Sequence, residues 1–326
     1  MLAPHLLALV TLAIAASCDA ATPRPMILVT DCGAEMDDQW ALAHLVLTPE
    51  FDVRAIVTTH TGKHPILAPP TAETSARIAR EVLERMPVRA HPVVIPGSNV
   101  PLRSRTPIRS AGVERIISES QTFKPDHRLT VLVIGAATDV ASALLTDRSL
   151  ANRIEIVAMG FSEWPKGGDH FNIANDPIAW QVILDSDVPV TIGDEAVVLR
   201  DLSMTSSHAH TILDPAGDPG HYLAGLLDEW LAKNPEIAVQ VTGDEKLWGV
   251  WDEVTVAHML GMTKTEQHAR PKLHADLSFD QNAKHGTITW VTAIEGGRLW
   301  ADLADRLQQA QRTVRVEPVG PALTQR

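Results

Sequence analysis

The chain of 326 residues has only two cysteines, one tyrosine and five phenylalanines, and its 28 Lys and Arg are outnumbered by 40 Asp and Glu. Each shortage removes a class of protein. With only Cys18 and Cys32 available, no disulfide framework can hold the fold, and the task falls to core packing. A formal net charge of −12 argues against nucleic acid as a partner, because that binding draws its affinity from clustered Lys and Arg. A small neutral or cationic ligand fits better. The chain also lacks long runs of one charge, low-complexity tracts and internal repeats, which excludes solenoids and tail-driven scaffolds.

What is present is enough for a large core: 45% of residues are hydrophobic and 21% charged, sufficient for one big or two small globular domains. Residues 6–16 are apolar apart from Thr11 but too few to span a bilayer comfortably, and small residues at Cys18 and Ala20 permit cleavage after Ala20. Residues 1–20 therefore read as a secretory signal peptide, although the segment before the apolar stretch has no Lys or Arg. The expected mature protein is exported, periplasmic or extracellular, without a transmembrane segment. Ala15-Ala16-Ser17-Cys18 is an imperfect lipoprotein site, so lipid anchoring at Cys18 is an alternative, and a buried N-terminal helix is another. If Cys18 is removed or lipidated, Cys32 has no partner.

Beyond the leader, apolar β-branched runs trade places with helical patterns. Strands are expected over 26–30, 53–59, 93–95, 130–134, 154–159 and 188–192, and helices over 38–47, 72–86, 140–145 and 177–186. Parallel neighbours need crossover connections, so the alternation predicts an α/β fold with an open, mostly parallel sheet flanked by helices. Residues 201–247 read as a mostly helical cover over the site. The domain spans 24–315, and 316–326, with two prolines and a polar end, reads as a disordered tail.

The first strand ends in Thr30-Asp31-Cys32-Gly33-Ala34-Glu35-Met36-Asp37-Asp38, which crowds three aspartates where ligands bind in open α/β sheets. A hard divalent cation would offset their repulsion. The same aspartates could equally cap a helix.

Three later segments join this one: Gly135-Ala136-Ala137-Thr138-Asp139, Phe171-Asn172-Ile173-Ala174-Asn175-Asp176-Pro177 and Trp251-Asp252-Glu253-Val254-Thr255-Val256-Ala257. In that order, over about 26–260, the chain resembles the inosine/uridine-preferring nucleoside hydrolases, in a divergent, secreted branch. The resemblance implies hydrolysis of the N-glycosidic bond of a ribonucleoside or related N-ribosyl compound. It also implies a Ca2+ site made of Asp31, Asp38, Asp252 and the Thr138 carbonyl, with Asp31 as general base. Asp37 and Asn172 would bind ribose hydroxyls. Family members often form oligomers, so a homo-oligomer is a further expectation by analogy.

The departures bear on specificity. Asp31 and Asp37 are six positions apart where the family pattern has four, and Lys63 stands near an expected Asn. His170 replaces a Glu, so Lys63, Lys166 and His170 could favour an acidic substituent on the sugar. Trp251 replaces a His that some members use to protonate the leaving base. An indole is no acid at neutral pH, but with Trp248 it could stack on a purine; packing in the core is the alternative for both. A binding protein that kept the metal and lost turnover is the second functional reading. A polymer-active glycosidase has no extended aromatic platform to support it.

Overall fold

The computed structural model describes residues 22–62, 67–69, 71–88, 90–168, 171–280 and 286–316. The expected signal peptide, Cys18, Lys63, His170 and residues 317–326 lie outside them. Strand β1 (Arg24–Thr30) buries its last five residues, as a strand covered on both faces must. Its side chains alternate between two hydrophobic clusters, Met26 and Leu28 in one, Ile27 and Val29 in the other.

Helix α1 (Asp37–Leu47) leads to β2 (Phe51–Thr58), and α2 (Thr71–Arg85) leads to β3 (Val93–Pro96). Next come α3 (Ala111–Glu119), β4 (Leu129–Val133), α4 (Thr138–Thr146), β5 (Ile154–Met159), α5 (Phe171–Asn175), α6 (Pro177–Leu184) and β6 (Val190–Gly193). Helix α7 (Glu195–Asp201) and β7 (Ser203–Thr205) precede a helical cover of α8 (Ser206–Leu213), α9 (Asp218–Lys233) and α10 (Pro235–Thr242). The chain returns through β8 (Leu247–Gly249), which pairs antiparallel with β7, and α11 (Glu253–Met259). It finishes with β9 (Thr263–Ala269), the short pair β10 (Lys272–Leu273) and β11 (Phe279–Asp280), β12 (Thr287–Ile294) and α12 (Gly296–Val316).

Among the described residues, eight strands form one sheet in the order β3-β2-β1-β4-β5-β6-β12-β9. Every neighbouring pair is parallel except β12 with β9. The chain leaves β1 toward β2 and β3, then crosses to place β4 on the other side of β1. The order reverses there, so the connections after β1 and β4 diverge and leave a crevice at their C-terminal ends. That crevice is where Asp31 and Gly135 stand.

Two helices that carry site residues are locked by a buried ion network. His44 on α1 bonds Glu253 on α11 through Nδ1 at 2.9 Å and Asp302 on α12 through Nε2 at 3.0 Å. Arg306 in turn donates to Asp302 and, at 2.8 Å, to Glu50. Burial alone would push His44 down, but the two carboxylates outweigh it and hold the imidazolium to a pKa of about 9. No helix among the described residues is long and apolar enough to cross a membrane.

Because the folded pKa of His44 exceeds the unfolded value near 6.5, its contribution is fully present below about pH 6.5 and is lost as pH rises through 9. Denaturant unfolding at pH 6.5 and 9.5 should show a fall on the order of 3 kcal/mol. His44→Gln should flatten most of that fall; an unchanged difference in the variant would show that His44 is not the group whose titration causes it.

Candidate active site

The connection from β1 to α1 is a tight loop. Its turn is closed by the Ala34 N–H donating to the Asp31 carbonyl at 3.0 Å, and Gly33 sits at φ +91, where a residue without Cβ is favoured. Asp37 and Asp38 fall in the first turn of α1, where the helix dipole favours negative charge. They are not caps. The N-cap position is Met36, without a side-chain bond, and Asp38 instead accepts from the Thr30 hydroxyl.

A cavity of about 190 Å³ opens above this loop. Six carboxylates line it, those of Asp31, Glu35, Asp37, Asp38, Glu195 and Asp252, and among the described residues no Lys, Arg or His does. Oxygens of Asp37, Asp38 and Asp252 lie within 4.8 Å of one another. Asp31 is beside this triple and 1% exposed, and its Oδ2 has no hydrogen-bond partner among the described residues. The β4–α4 loop comes so close that a Cβ on Gly135 would stand 2.7 Å from the Asp31 nitrogen and 2.9 Å from its Oδ1. Glycine is required there by proximity.

Buried like charges cannot all ionise without a counterion. Burial, followed by repulsion from neighbouring carboxylates, pushes Asp31, Glu35, Asp38 and Asp252 well above the usual range. Burial raises Asp37 to about 6. An all-oxygen cluster with an orphaned buried carboxylate oxygen fits a hard divalent cation, since unpaired buried oxygens need a positive partner. Cys32, fully buried behind the same loop, has its thiol pushed up by burial and by Asp38.

The opposite wall is aromatic. Trp248 and Trp251 pack edge to face at 5.6 Å, and both indoles donate to Glu35 Oε2 at 3.1 Å. At 2% and 7% exposure they are buried, yet both line the cavity, so core packing and a wall are the same arrangement. Asn172 lines the cavity from α5. Thr138 is not among the lining residues. Its hydroxyl donates to Asp176 at 2.6 Å and accepts from His60 Nε2 at 2.8 Å. Asp139 and Asp176 likewise serve the fold: Asp139 accepts from the Ser98 N–H, and Asp176 from the Leu102 and Ala179 N–H groups. Lys166 pairs with Glu163 on the surface. Glu35 and Glu195 were not foreseen as site residues. Glu35 lies within the opening motif, but only its indole partners distinguish it from an ordinary loop residue, and nothing local marks Glu195.

This geometry is matched by family relationship. The model of the inosine-uridine preferring nucleoside hydrolase family fits residues 26–319. The chain belongs to that family, whose members hydrolyse N-glycosyl bonds. Among curated proteins none matches significantly. Similar solved structures include a purine-preferring ribonucleoside hydrolase from Gardnerella vaginalis, with 18% identity and a TM-score of 0.71 over 88% of this chain and 100% of that one. An inosine-guanosine nucleoside hydrolase has 17% identity and a TM-score of 0.68, over 87% and 98%. An inosine-uridine preferring enzyme from Bacillus anthracis has 14% and 0.61, over 88% and 99%. At these identities the likeness shows the fold.

Carboxyls with raised folded pKa values oppose folding once ionised, so the chelator-treated protein should lose stability as pH rises above about 4, the unfolded carboxylate pKa. Thermal melts from pH 4.5 to 7 should show that decline. A divalent cation at about 100 times its Kd should return about 2.7 kcal/mol at pH 7. A chelated protein whose melting point does not move with pH would contradict the cluster's charge state.

Proposed function

We propose that this protein hydrolyses the N-glycosidic bond of a purine ribonucleoside or a related N-ribosyl compound, with Ca2+ as cofactor and Asp31 as general base. One observation carries the reading: Asp31, whose buried Oδ2 has no hydrogen-bond partner among the described residues, lines a cavity that also holds the Asp37–Asp38–Asp252 triple. Asp38 and Asp252, with Asp31 beside them, are the ligands proposed for the ion, and the Thr138 carbonyl stays a proposed fourth. Once bound, a hard cation offsets the carboxylate charge and makes nearby water easier to deprotonate.

The protein's own groups do the rest. Asp31 takes the proton of the attacking water as its oxygen bonds to the anomeric carbon, and the C–N bond breaks with its electron pair passing to the ring nitrogen of the base, which takes up a proton from solvent; Asp31 later returns its proton to solvent. The ring gains oxocarbenium character in this step, and the ring of carboxylates stabilises that positive charge without reorganising. Asp37 and Asn172 are proposed to hold ribose hydroxyls. The indole faces of Trp248 and Trp251 suit a planar bicyclic base, which is why a purine is favoured. Lys63 and His170 remain proposed contacts to an acidic or hydroxyl substituent on the sugar. Export through residues 1–20 is proposed on the apolar stretch at 6–16.

Assays with inosine, adenosine, guanosine and uridine should detect free base and ribose in the presence of calcium and none after chelation. Asp31→Asn should lower kcat by about 10³-fold or more, while calcium still raises the melting point. Turnover undiminished in that variant would remove Asp31 from the chemistry. Tight ligand binding without turnover in the unmodified protein would favour the binding-protein reading.

A further inference from the structure

The reaction cavity has a neighbour on the far side of its aromatic wall. A second cavity of about 770 Å³, against about 190 Å³ for the first, adjoins it, and Ala34, Glu35 and Ile237 line both. The lengthened β1–α1 loop is therefore the shared border, with α2 and α9 forming the far walls.

Aromatic rings run from one cavity to the other. Trp251 and Trp248 line the first, Trp230 lines the second, and the ring centroids of Trp248 and Trp230 are 5.4 Å apart, nearly the 5.6 Å between Trp248 and Trp251. The buried Trp230 indole N–H has no hydrogen-bond partner among the described residues. Tyr222 adds a further ring, with the Arg85 guanidinium 4.4 Å from its centre.

The charges of the second cavity are already paired. Arg77 and Arg85 each reach Glu81, at 4.0 and 3.0 Å, and Lys233 reaches Glu229 at 3.1 Å. An anionic ligand would have to compete with those carboxylates, whereas a neutral aromatic group displaces no ion pair, loses little solvation and can pack against the half-buried Trp230.

Building on the proposed nucleoside hydrolysis, we propose that the second cavity is the outer part of the leaving-group site. The protein takes N-ribosyl compounds whose base carries a neutral aromatic substituent, laid along the row from Trp251 to Trp230. The reaction is unchanged by the extension; what the second cavity adds is affinity for the released group and its precursor.

The test uses free bases, so it needs neither turnover nor metal. Titration calorimetry of the full chain should give at least tenfold tighter binding for N6-(2-phenylethyl)adenine than for adenine. Gly225 lines the second cavity on α9, and a Cβ added there meets nothing within 4 Å. Gly225→Trp should fill the cavity and reduce the preference to within twofold without changing the adenine Kd, and Gly225→Ala should keep it. Equal affinities in the unmodified protein, no measurable binding of either base, or a preference that survives Gly225→Trp would overturn the proposal. Adenosine turnover, assayed separately in the same proteins, reports on the hydrolase reading alone.

Discussion

The constraint on which this structure turns is the confinement of carboxylates where water cannot screen them. Asp31, Asp37, Asp38 and Asp252 are all 3% exposed or less, and they come from three places in the chain: the end of β1, the start of α1 and the residue before α11. Nothing in their mutual repulsion would keep them together. What does so is placed behind them. The His44 imidazolium joins α1 to α11 through Glu253, the residue next to Asp252, so a buried cation in the core holds the backbone that carries buried anions in the site. The ion pair ties the scaffold together behind the cage of oxygens, whose unbalanced charge is of the kind a hard cation would offset.

The four motifs that carry the family resemblance divide by duty. Asp31, Asp37, Asp38, Asn172 and Asp252 reach the cavity, whereas Asp139 and Asp176 are consumed by backbone N–H groups of the 98–102 segment and of α6. Those two aspartates tie the β3–α3 connection to α4 and α6, which shapes the edge of the crevice from outside it. A motif aspartate is thus no guide to chemistry until its hydrogen-bond partners are known. Thr138 makes the same point: its hydroxyl belongs to the His60–Asp176 network, and burial holds that histidine's pKa down at about 4, so it stays a neutral spacer.

Much of this was legible in the chain. Six parallel strands and the helices α1, α2, α4 and α6 between them follow from β-branched runs alternating with helical periodicity, and their ends agree with the structure to within two residues, whereas α3 and the short α5 were not read from the chain. The crevice position of the first aspartate cluster follows from the strand that precedes it. Illegible parts depend on distant partners. The edge strand β9, Thr-Lys-Thr-Glu-Gln-His-Ala, is exposed along most of its length and has no apolar face to read. Glu35 becomes a site residue only through two indoles 213 and 216 positions away. The border it forms between two cavities arises from the packing of α2, α9 and α10 against one loop, and no local pattern encodes that.

Cys32 has a consequence outside catalysis. Among the described residues it is the one cysteine, fully buried and kept protonated by its surroundings. A neutral, inaccessible thiol neither attacks alkylating reagents nor advances along the oxidation ladder. The folded domain therefore behaves toward thiol chemistry as though it contained no cysteine. In protein from which Cys18 is removed, any single cysteine introduced on the domain's surface becomes a unique attachment point for a spectroscopic label.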